Sequence, residues 1–261
     1  MTIQARISAK RKHLGEQWEL RGLDPKKFRS STIAPPPADG FVRAYHFTSR
    51  KYEEAAIVGR RLKVARFSDA NDPFELFAIS SHTHQARQTL RSFKKDLDSN
   101  VGLLCFTRDW TKLLLWSHYA DKHKGICLGF DLKKGTFEEV EYVDKRLQPE
   151  LDDQEQFTLP EHLKKRLHLL KASDWRYEEE VRVLIDLAAA EFEDPLYFSH
   201  FSEDMRLMEV ILGELSGLSV SEIESHTNAF KPDVYVSRAR LERTGFRVIP
   251  DGNHLSSKLA V

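Results

Sequence analysis

The stretch DWRYEEEVRVLI, residues 174–185, best indicates how this chain folds. Val181 and Val183 alternate with charged residues, and a period of two puts alternate side chains on opposite faces of a β-strand. We therefore expect a strand with one face toward a core. The opposite face would carry a polar row, formed by Glu178, Glu180 and Arg182. Two interpretations of this row are open: a solvated sheet face, or a site that holds a carboxylate for acid–base or cation-stabilising chemistry.

Short apolar segments recur on both sides of this stretch. They predict strands at 41–46, 62–67, 101–106, 125–130, 137–143, 180–185, 196–198, 208–212, 234–236 and 246–249. Helical spacing or helix capping predicts helices at 49–58, 83–97, 110–120, 160–172 and 219–228. The elements do not alternate strictly, and many connections are too short for βαβ units. The pattern therefore favours an α+β fold with mixed, mainly antiparallel sheets and flanking helices.

Composition limits the classes of protein to which the chain can belong. Among 261 residues, 40 Lys or Arg balance 40 Asp or Glu, so the net charge is +0. That balance excludes a polybasic nucleic-acid coat, whose affinity comes mainly from phosphate neutralisation. We find no apolar signal core at the start and no apolar run long enough to cross a membrane. The sequence therefore predicts a cytoplasmic protein with no membrane partner.

A change in composition near residue 40 predicts two units. Residues 1–40 carry eight Lys or Arg against four Asp or Glu and contain the break Pro35-Pro36-Pro37. We expect an N-terminal amphipathic helix and a Pro-rich linker over 1–40. A single α+β domain is expected over 41–261.

Three further places put polar or aromatic groups beside apolar segments. Residues 45–49 lead from a strand into a helix, where backbone N–H groups can hold an anionic or hydroxyl-rich ligand. The alternative there is a simple helix cap by Thr48 or Ser49. Residues 71–75 form either a loop that closes over a ligand or an ordinary turn. Trp116 and Tyr119 share a helix face, and they either stack on a planar ring or belong to the core.

Several motifs of common enzyme classes are missing from the sequence. GxGxxG and GxxxxGK[ST] do not occur, which disfavours a Rossmann or P-loop enzyme. HExxH and CxxC do not occur either. The spacing of Cys105, His118, His123 and Cys127 matches no zinc signature, so we expect no metal.

Six motifs resemble those of a bacterial family, domain of unknown function 2971, in the same order and over about residues 41–250. They are Tyr45-His46-Phe47-Thr48-Ser49; Asn71-Asp72-Pro73-Phe74-Glu75; Cys105-Phe106-Thr107; Trp116-Ser117-His118-Tyr119-Ala120 with Gly125-Ile126-Cys127-Leu128-Gly129-Phe130-Asp131; Trp175, Tyr177, Glu178, Glu180 and Arg182; and Glu209-Val210-Ile211-Leu212-Gly213. This family carries no named activity.

The chain also resembles, more remotely, the NAD-dependent ADP-ribosyltransferase superfamily. The shared features are a strand that ends in Tyr-His-x-Thr before a short helix, a middle strand that ends in an aromatic residue and a Thr, and a late Glu that opens an apolar strand. The resemblance implies a fold like the split β-sandwich of those enzymes. It also implies NAD as a substrate and ADP-ribose transfer to a nucleic-acid or protein acceptor, as in a toxin or a phage-defence effector.

The same resemblance implies a role for each site residue. His46 would bind the ribose or adenosine part of NAD, and Tyr119 or Trp116 would stack on nicotinamide. Glu180 would stabilise the cation that forms as nicotinamide leaves, and Glu178 would activate the acceptor. The remaining NAD-binding residues would be Thr48, Asn71 and Arg182.

Alternatives remain open for the key carboxylate and for the function. Glu209 rivals Glu180 because it too opens an apolar strand. A non-enzymatic module would use His46 with the Trp116 and Tyr119 face to hold a nucleotide. A metal-independent nuclease would use His46, His118 and Glu180.

Overall fold

The computed structural model of the chain describes residues 33–154, 156–231 and 233–255. The helix predicted near the N-terminus lies outside the described residues, so the two-unit division stays a prediction. No helix in the described ranges is both long enough and apolar enough to cross a membrane.

Fifteen strands are present in the described part of the chain. In order, β1 to β15 are Phe41–Thr48, Arg61–Val64, Val101–Thr107, Ile126–Lys133, Glu138–Glu139, Glu141–Val143, Glu150–Leu151, Phe157–Thr158, Leu170–Ala172, Glu180–Asp186, Glu191–Glu193, Leu196–His200, Met205–Leu212, Tyr235–Leu241 and Val248–Leu255. Five α-helices accompany them: α1 to α5 are Glu53–Ile57, His84–Asn100, Leu113–Tyr119, Glu161–Leu167 and Val220–Asn228.

Eight of these strands form one large sheet in the order β15-β14-β13-β4-β1-β3-β10-β5. Only β13 and β14 run parallel in this sheet, and its other pairs are antiparallel. The smaller sheets are β11-β12-β2, β6-β9 and β7-β8. The α+β class with mixed, mainly antiparallel sheets is therefore confirmed.

Apolar side chains cover both faces of the large sheet. Alternate residues of β1 and β4 enter two cores: Ala44 and Leu128 pack on one side, and Tyr45 and Cys127 on the other. Helices α1 and α5 contribute to the first core, and Trp116 of α3 to the second. A third core lies between α2, α4 and the Leu103 side of β3.

Helix capping explains why the two longest helices begin where they do. Thr83 accepts a hydrogen bond from the Ala86 amide at 3.1 Å, and Ser219 accepts one from the Glu222 amide at 3.1 Å. A side-chain acceptor at this position satisfies an amide that the helix itself leaves without a partner.

The helix predicted over 160–172 is wrong in its second half. Helix α4 ends at Leu167, and Leu170–Ala172 is β9, which pairs in parallel with β6. Leu163, Leu167 and Leu170 are all buried, so their spacing fits a helix even though only the first two lie in one. Pairing with β6 overrides the helical pattern here.

The predicted row of Glu178, Glu180 and Arg182 on one strand is also only partly right. Glu180 and Arg182 lie in β10, but Glu178 ends a 3₁₀ helix, Ser173–Glu178. Glu179 then takes a left-handed conformation with φ of 44°. This turn separates Glu178 from the strand, so its side chain is positioned by the helix end and not by the strand period.

Strands β1 and β3 of the large sheet pair over a very short length. These strands share one paired position, Tyr45 opposite Thr107, whereas β1 pairs with β4 over eight positions. At Leu103, strand β3 instead exchanges backbone hydrogen bonds with Ala65, at 2.9 and 2.8 Å. The strands therefore diverge beyond this position and leave an opening that residues of both strands line.

Candidate functional site

A cleft of about 280 Å³ occupies the opening between β1 and β3. Its lining combines residues of β1 and β3, the segment that follows β2, and the polar end of β10. The lining includes these polar and ionisable residues: His46, Lys63, Arg66, Asn71, Glu75, Cys105, Tyr119, Lys171, Glu178, Glu180 and Arg182.

His46 bridges the two diverging strands. Its Nδ1 donates a hydrogen bond to the Cys105 carbonyl oxygen at 2.8 Å, which gives a partner to a carbonyl facing the opening. Desolvation lowers the pKa of His46 to about 4. The hydrogen bond to the Cys105 carbonyl raises this pKa, but by less than desolvation lowers it. At neutral pH the ring is therefore uncharged, with its proton on Nδ1 and an acceptor lone pair on Nε2.

Five buried ionisable side chains form the floor of the cleft, and we call them the ion cluster. Its members are Glu75, Lys171, Glu178, Glu180 and Arg182. Their side chains are only 1 to 6 % exposed. Charges buried to this degree need hydrogen-bonded partners, because the cost of removing them from water is otherwise uncompensated.

Arg182 is the centre of one half of the ion cluster. Its Nη1 and Nη2 donate to the two oxygens of Glu75 at 2.8 and 2.9 Å. Its Nε and Nη2 donate to the two oxygens of Glu180 at 2.8 and 3.2 Å. Nη1 also donates to the His168 carbonyl oxygen. The planar guanidinium thus holds a carboxylate on each side in a fixed geometry.

Lys171 is the centre of the other half. Its ammonium donates to Glu180 Oε2 at 2.9 Å and also to Glu178 Oε2. The other Glu178 oxygen accepts from the Tyr119 hydroxyl, which in turn accepts from the Asn71 amide at 2.7 Å. A chain of hydrogen bonds therefore runs from the Asn71 loop through the end of α3 to the ion cluster.

The two glutamates nearest the cleft have opposite pKa shifts. Burial would raise the pKa of Glu180, but Arg182 and Lys171 outweigh it and lower that pKa to about 2. Burial raises the pKa of Glu178, and its contacts with Lys171 and Tyr119 do not fully offset this. One carboxylate is therefore held ionised, while its neighbour takes up a proton more readily, as in sites that divide acid–base roles.

Six of the predicted site residues line this one cleft: His46, Asn71, Tyr119, Glu178, Glu180 and Arg182. Trp116 does not line it. Its ring is fully buried in the core, stacked on His123 with ring centroids 6.0 Å apart, and its Nε1 donates to the Trp110 carbonyl oxygen at 2.7 Å. Of the two aromatic residues offered for nicotinamide stacking, only Tyr119 reaches the cleft.

Three other predicted groups also lie outside the cleft lining. Thr48 is buried at the end of β1, and His118 is exposed on α3 beside the Tyr177 ring. Glu209 is buried among different partners: its Oε1 accepts from the amides of Ile33 and Ala34, each at 2.6 Å. Glu209 thus fastens the segment before β1 to the sheet.

The sequence reasoning missed Glu75 and Lys171. Lys171 fell within a predicted helix, where a lysine normally faces water, although its apolar neighbours in LLKA, residues 169–172, were a usable signal of burial. Glu75 belonged to a quoted motif but was given no role of its own. The partner of Glu75 cannot be read from the sequence, because Glu75 and Arg182 are 107 positions apart.

Among the described residues, no group of three or more His, Cys, Asp or Glu is arranged to hold a metal ion. The two cysteines are free thiols there, and Cys105 lines the cleft. Burial raises the pKa of the Cys105 thiol, so it is uncharged near neutral pH.

The fold and site together define an α+β protein whose cleft opens at the narrow join of its main sheet. The family described as "Protein of unknown function (DUF2971)" matches residues 115–183. This match includes the motifs at Trp116–Asp131 and Trp175–Arg182, and it confirms the predicted family resemblance over that segment. Comparisons with curated proteins and with solved structures gave no significant match.

Replacing Lys171 tests whether the ion cluster carries the stability of the site. Lys171→Met leaves Glu178 and Glu180 buried without their shared cation, so we expect the free energy of unfolding to fall by about 3–5 kcal/mol. Lys165→Met, on the exposed side of α4, should change it by less than about 0.5 kcal/mol. Urea denaturation at pH 7 measures both, and equal effects would contradict the account.

The environment of His46 predicts a pH effect. In the unfolded chain its pKa returns to about 6.5, so between pH 6.5 and 4 the unfolded state binds a proton that the folded state does not. The stability that a neutral His46 confers is therefore lost as the pH falls through this window. In an NMR titration, the His46 ring should remain neutral, with its proton on Nδ1, down to about pH 4. A midpoint near 6.5 would show that the ring is solvated instead.

Proposed function

We propose that the chain is an ADP-ribosyltransferase-like enzyme, acting in the cytoplasm as a toxin or a phage-defence effector. It cleaves the bond between nicotinamide and ribose in NAD and transfers ADP-ribose to a nucleic-acid or protein acceptor. The observation that carries the proposal is convergence: His46, Tyr119 and the pair Glu178 and Glu180 come from three segments of the chain and line one cleft.

The dimensions of the cleft suit one half of the dinucleotide. Ligand pockets commonly measure about 300–1,000 Å³, and this cleft of about 280 Å³ lies near the lower limit. It therefore takes the nicotinamide ring and its ribose, with the Tyr119 ring and His46 in the lining. Lys63 and Arg66 line the more exposed part, where the phosphates of NAD would leave the cleft.

The two glutamates have the properties that the reaction requires. When the ribose–nicotinamide bond breaks, its electron pair stays on the ring nitrogen, and positive charge develops on the ribose. Glu180, which remains ionised because its pKa is about 2, stabilises that charge electrostatically. Glu178, with a raised pKa, accepts the proton that the attacking group of the acceptor gives up.

One observation favours a second candidate, a nucleotide-binding module without turnover. Both oxygens of Glu180 already accept hydrogen bonds from Arg182 or Lys171. A carboxylate engaged in this way contributes less to a developing cation than an uncompensated one. Such a module would be stabilised against heat by NAD or ADP-ribose but would release no nicotinamide.

The test of the enzyme is nicotinamide release from NAD labelled in the nicotinamide ring. We expect release by the wild-type chain and at least a 100-fold lower rate for Glu180→Gln and Glu178→Gln, since each loses the charge its role requires. Label on the adenosine side should appear in a macromolecular fraction of a cell extract with the same dependence on both residues.

Glu209→Gln is the matched control, because Glu209 is equally buried but lies outside the cleft. It should retain the wild-type rate at a temperature at which all variants are folded. If the wild-type chain releases no more nicotinamide than Glu180→Gln, the proposal fails. Thermal stabilisation by NAD in that case would favour the binding module.

A further inference from the structure

The charges of the ion cluster do not balance. Three carboxylates, those of Glu75, Glu178 and Glu180, face two cations, Lys171 and Arg182. The other charged groups that line the cleft have partners of their own: Lys63 pairs with Asp69 at 3.1 Å, and Arg66 pairs with Asp98, outside the lining, at 2.7 Å. The floor of the cleft therefore carries one negative charge in excess when all its groups are ionised.

The hydrogen bonds place this excess on Glu178. Arg182 bonds both oxygens of Glu75 and both oxygens of Glu180. Glu178 has only a share of Lys171, and its other oxygen meets the neutral hydroxyl of Tyr119. Glu178 is thus the member of the cluster with the least compensation, and it lines the cleft.

A cation inside the cleft would supply the missing charge. Coulombic attraction between unit charges is much stronger in a partly buried site than in water. The lining rings of Tyr119 and His46 add surfaces on which a flat ring can stack, and a tyrosine face attracts cations. A carboxylate-bearing ring of the same shape would meet repulsion instead.

We infer that the cleft selects a positively charged aromatic ring, of the pyridinium class, over neutral or anionic rings of the same shape, with Glu178 as the residue that sets the selectivity. The choice of ring rests on the proposed function, whereas the sign of the charge follows from the ion cluster itself. The raised pKa of Glu178 has the same physical origin, because burial and the neighbouring Glu180 carboxylate both disfavour its negative charge. The groups facing Glu178 are Tyr119, Lys171, Tyr177 and Glu180.

The selectivity has a consequence for turnover. The nicotinamide ring is a cation while it is joined to ribose, and it becomes neutral when the bond electrons return to its nitrogen. The cleft would therefore hold the ring of the substrate more tightly than the released ring. Product departure is favoured by the same excess charge that favours substrate binding.

The test uses three ring compounds that differ mainly in charge: 1-methylnicotinamide, nicotinamide and nicotinate. Each is titrated into the isotope-labelled chain at pH 7.5, and dissociation constants are taken from NMR shifts. We expect 1-methylnicotinamide to bind at least tenfold more tightly than nicotinamide, and nicotinate most weakly. In Glu178→Gln, the preference for 1-methylnicotinamide over nicotinamide should fall to roughly fourfold, which is the gain in affinity that one buried methyl group provides.

Glu179→Gln is the matched control, since it removes the same charge one residue along, from a side chain that is 52 % exposed and paired with Lys112. It should keep the wild-type preference. Equal affinities for the three compounds, no binding of any of them, or a preference that survives in Glu178→Gln would overturn the inference. These measurements need no turnover, so a chain that prefers the cation but releases no nicotinamide from NAD would refute the enzyme and leave the cation site standing.

Discussion

The ion pairing of Arg182 with Glu75 and Glu180 is the interaction on which the site depends. It joins the loop after β2 to β10, and Lys171 extends it to β9 and to the turn that ends at Glu178. Removing one partner would leave a charge buried without compensation, so separating these segments would cost free energy. A buried network of this kind is weak support for overall stability, but it holds the polar wall of the cleft in one arrangement.

The second constraint is the narrow join in the main sheet. A sheet that paired β1 with β3 along their full length would leave no space between them. Here β3 bridges to Ala65 at Leu103, before its single pairing with β1 at Thr107, and the side chain of His46 donates to the Cys105 carbonyl that faces the gap. The position of the cleft therefore follows from the sheet topology, and β1, β3 and β10 supply part of its lining.

These two features together create the chemical asymmetry of the site. One wall carries an uncharged histidine, held neutral by desolvation. The other carries two carboxylates whose pKa values are shifted in opposite directions, because Glu180 has two cations beside it and Glu178 shares only one. Neighbouring groups with separated pKa values can divide the work of charge stabilisation and proton transfer.

Much of the fold could be predicted from the sequence, because strands such as β3, β4 and β10 are short apolar runs with clear boundaries. The errors came where contacts distant in sequence decide the outcome. Leu170 fits a helical period, yet pairing with β6 makes its segment a strand and buries Lys171 beside the glutamates. Spacing also could not separate Trp116 from Tyr119, since only the packing of α3 puts the first in the core and the second in the cleft.

The proposed enzyme and the proposed ring selectivity both require that NAD bind in the cleft between β1 and β3. A crystal structure of the Glu180→Gln chain with NAD would locate the ligand, because slow turnover keeps it intact. We expect the nicotinamide ring against Tyr119, close to His46 and Glu178, with the phosphates toward Lys63 and Arg66. NAD bound instead in the open groove beside Phe201 and Lys231, or no bound NAD at saturating concentration, would contradict the account.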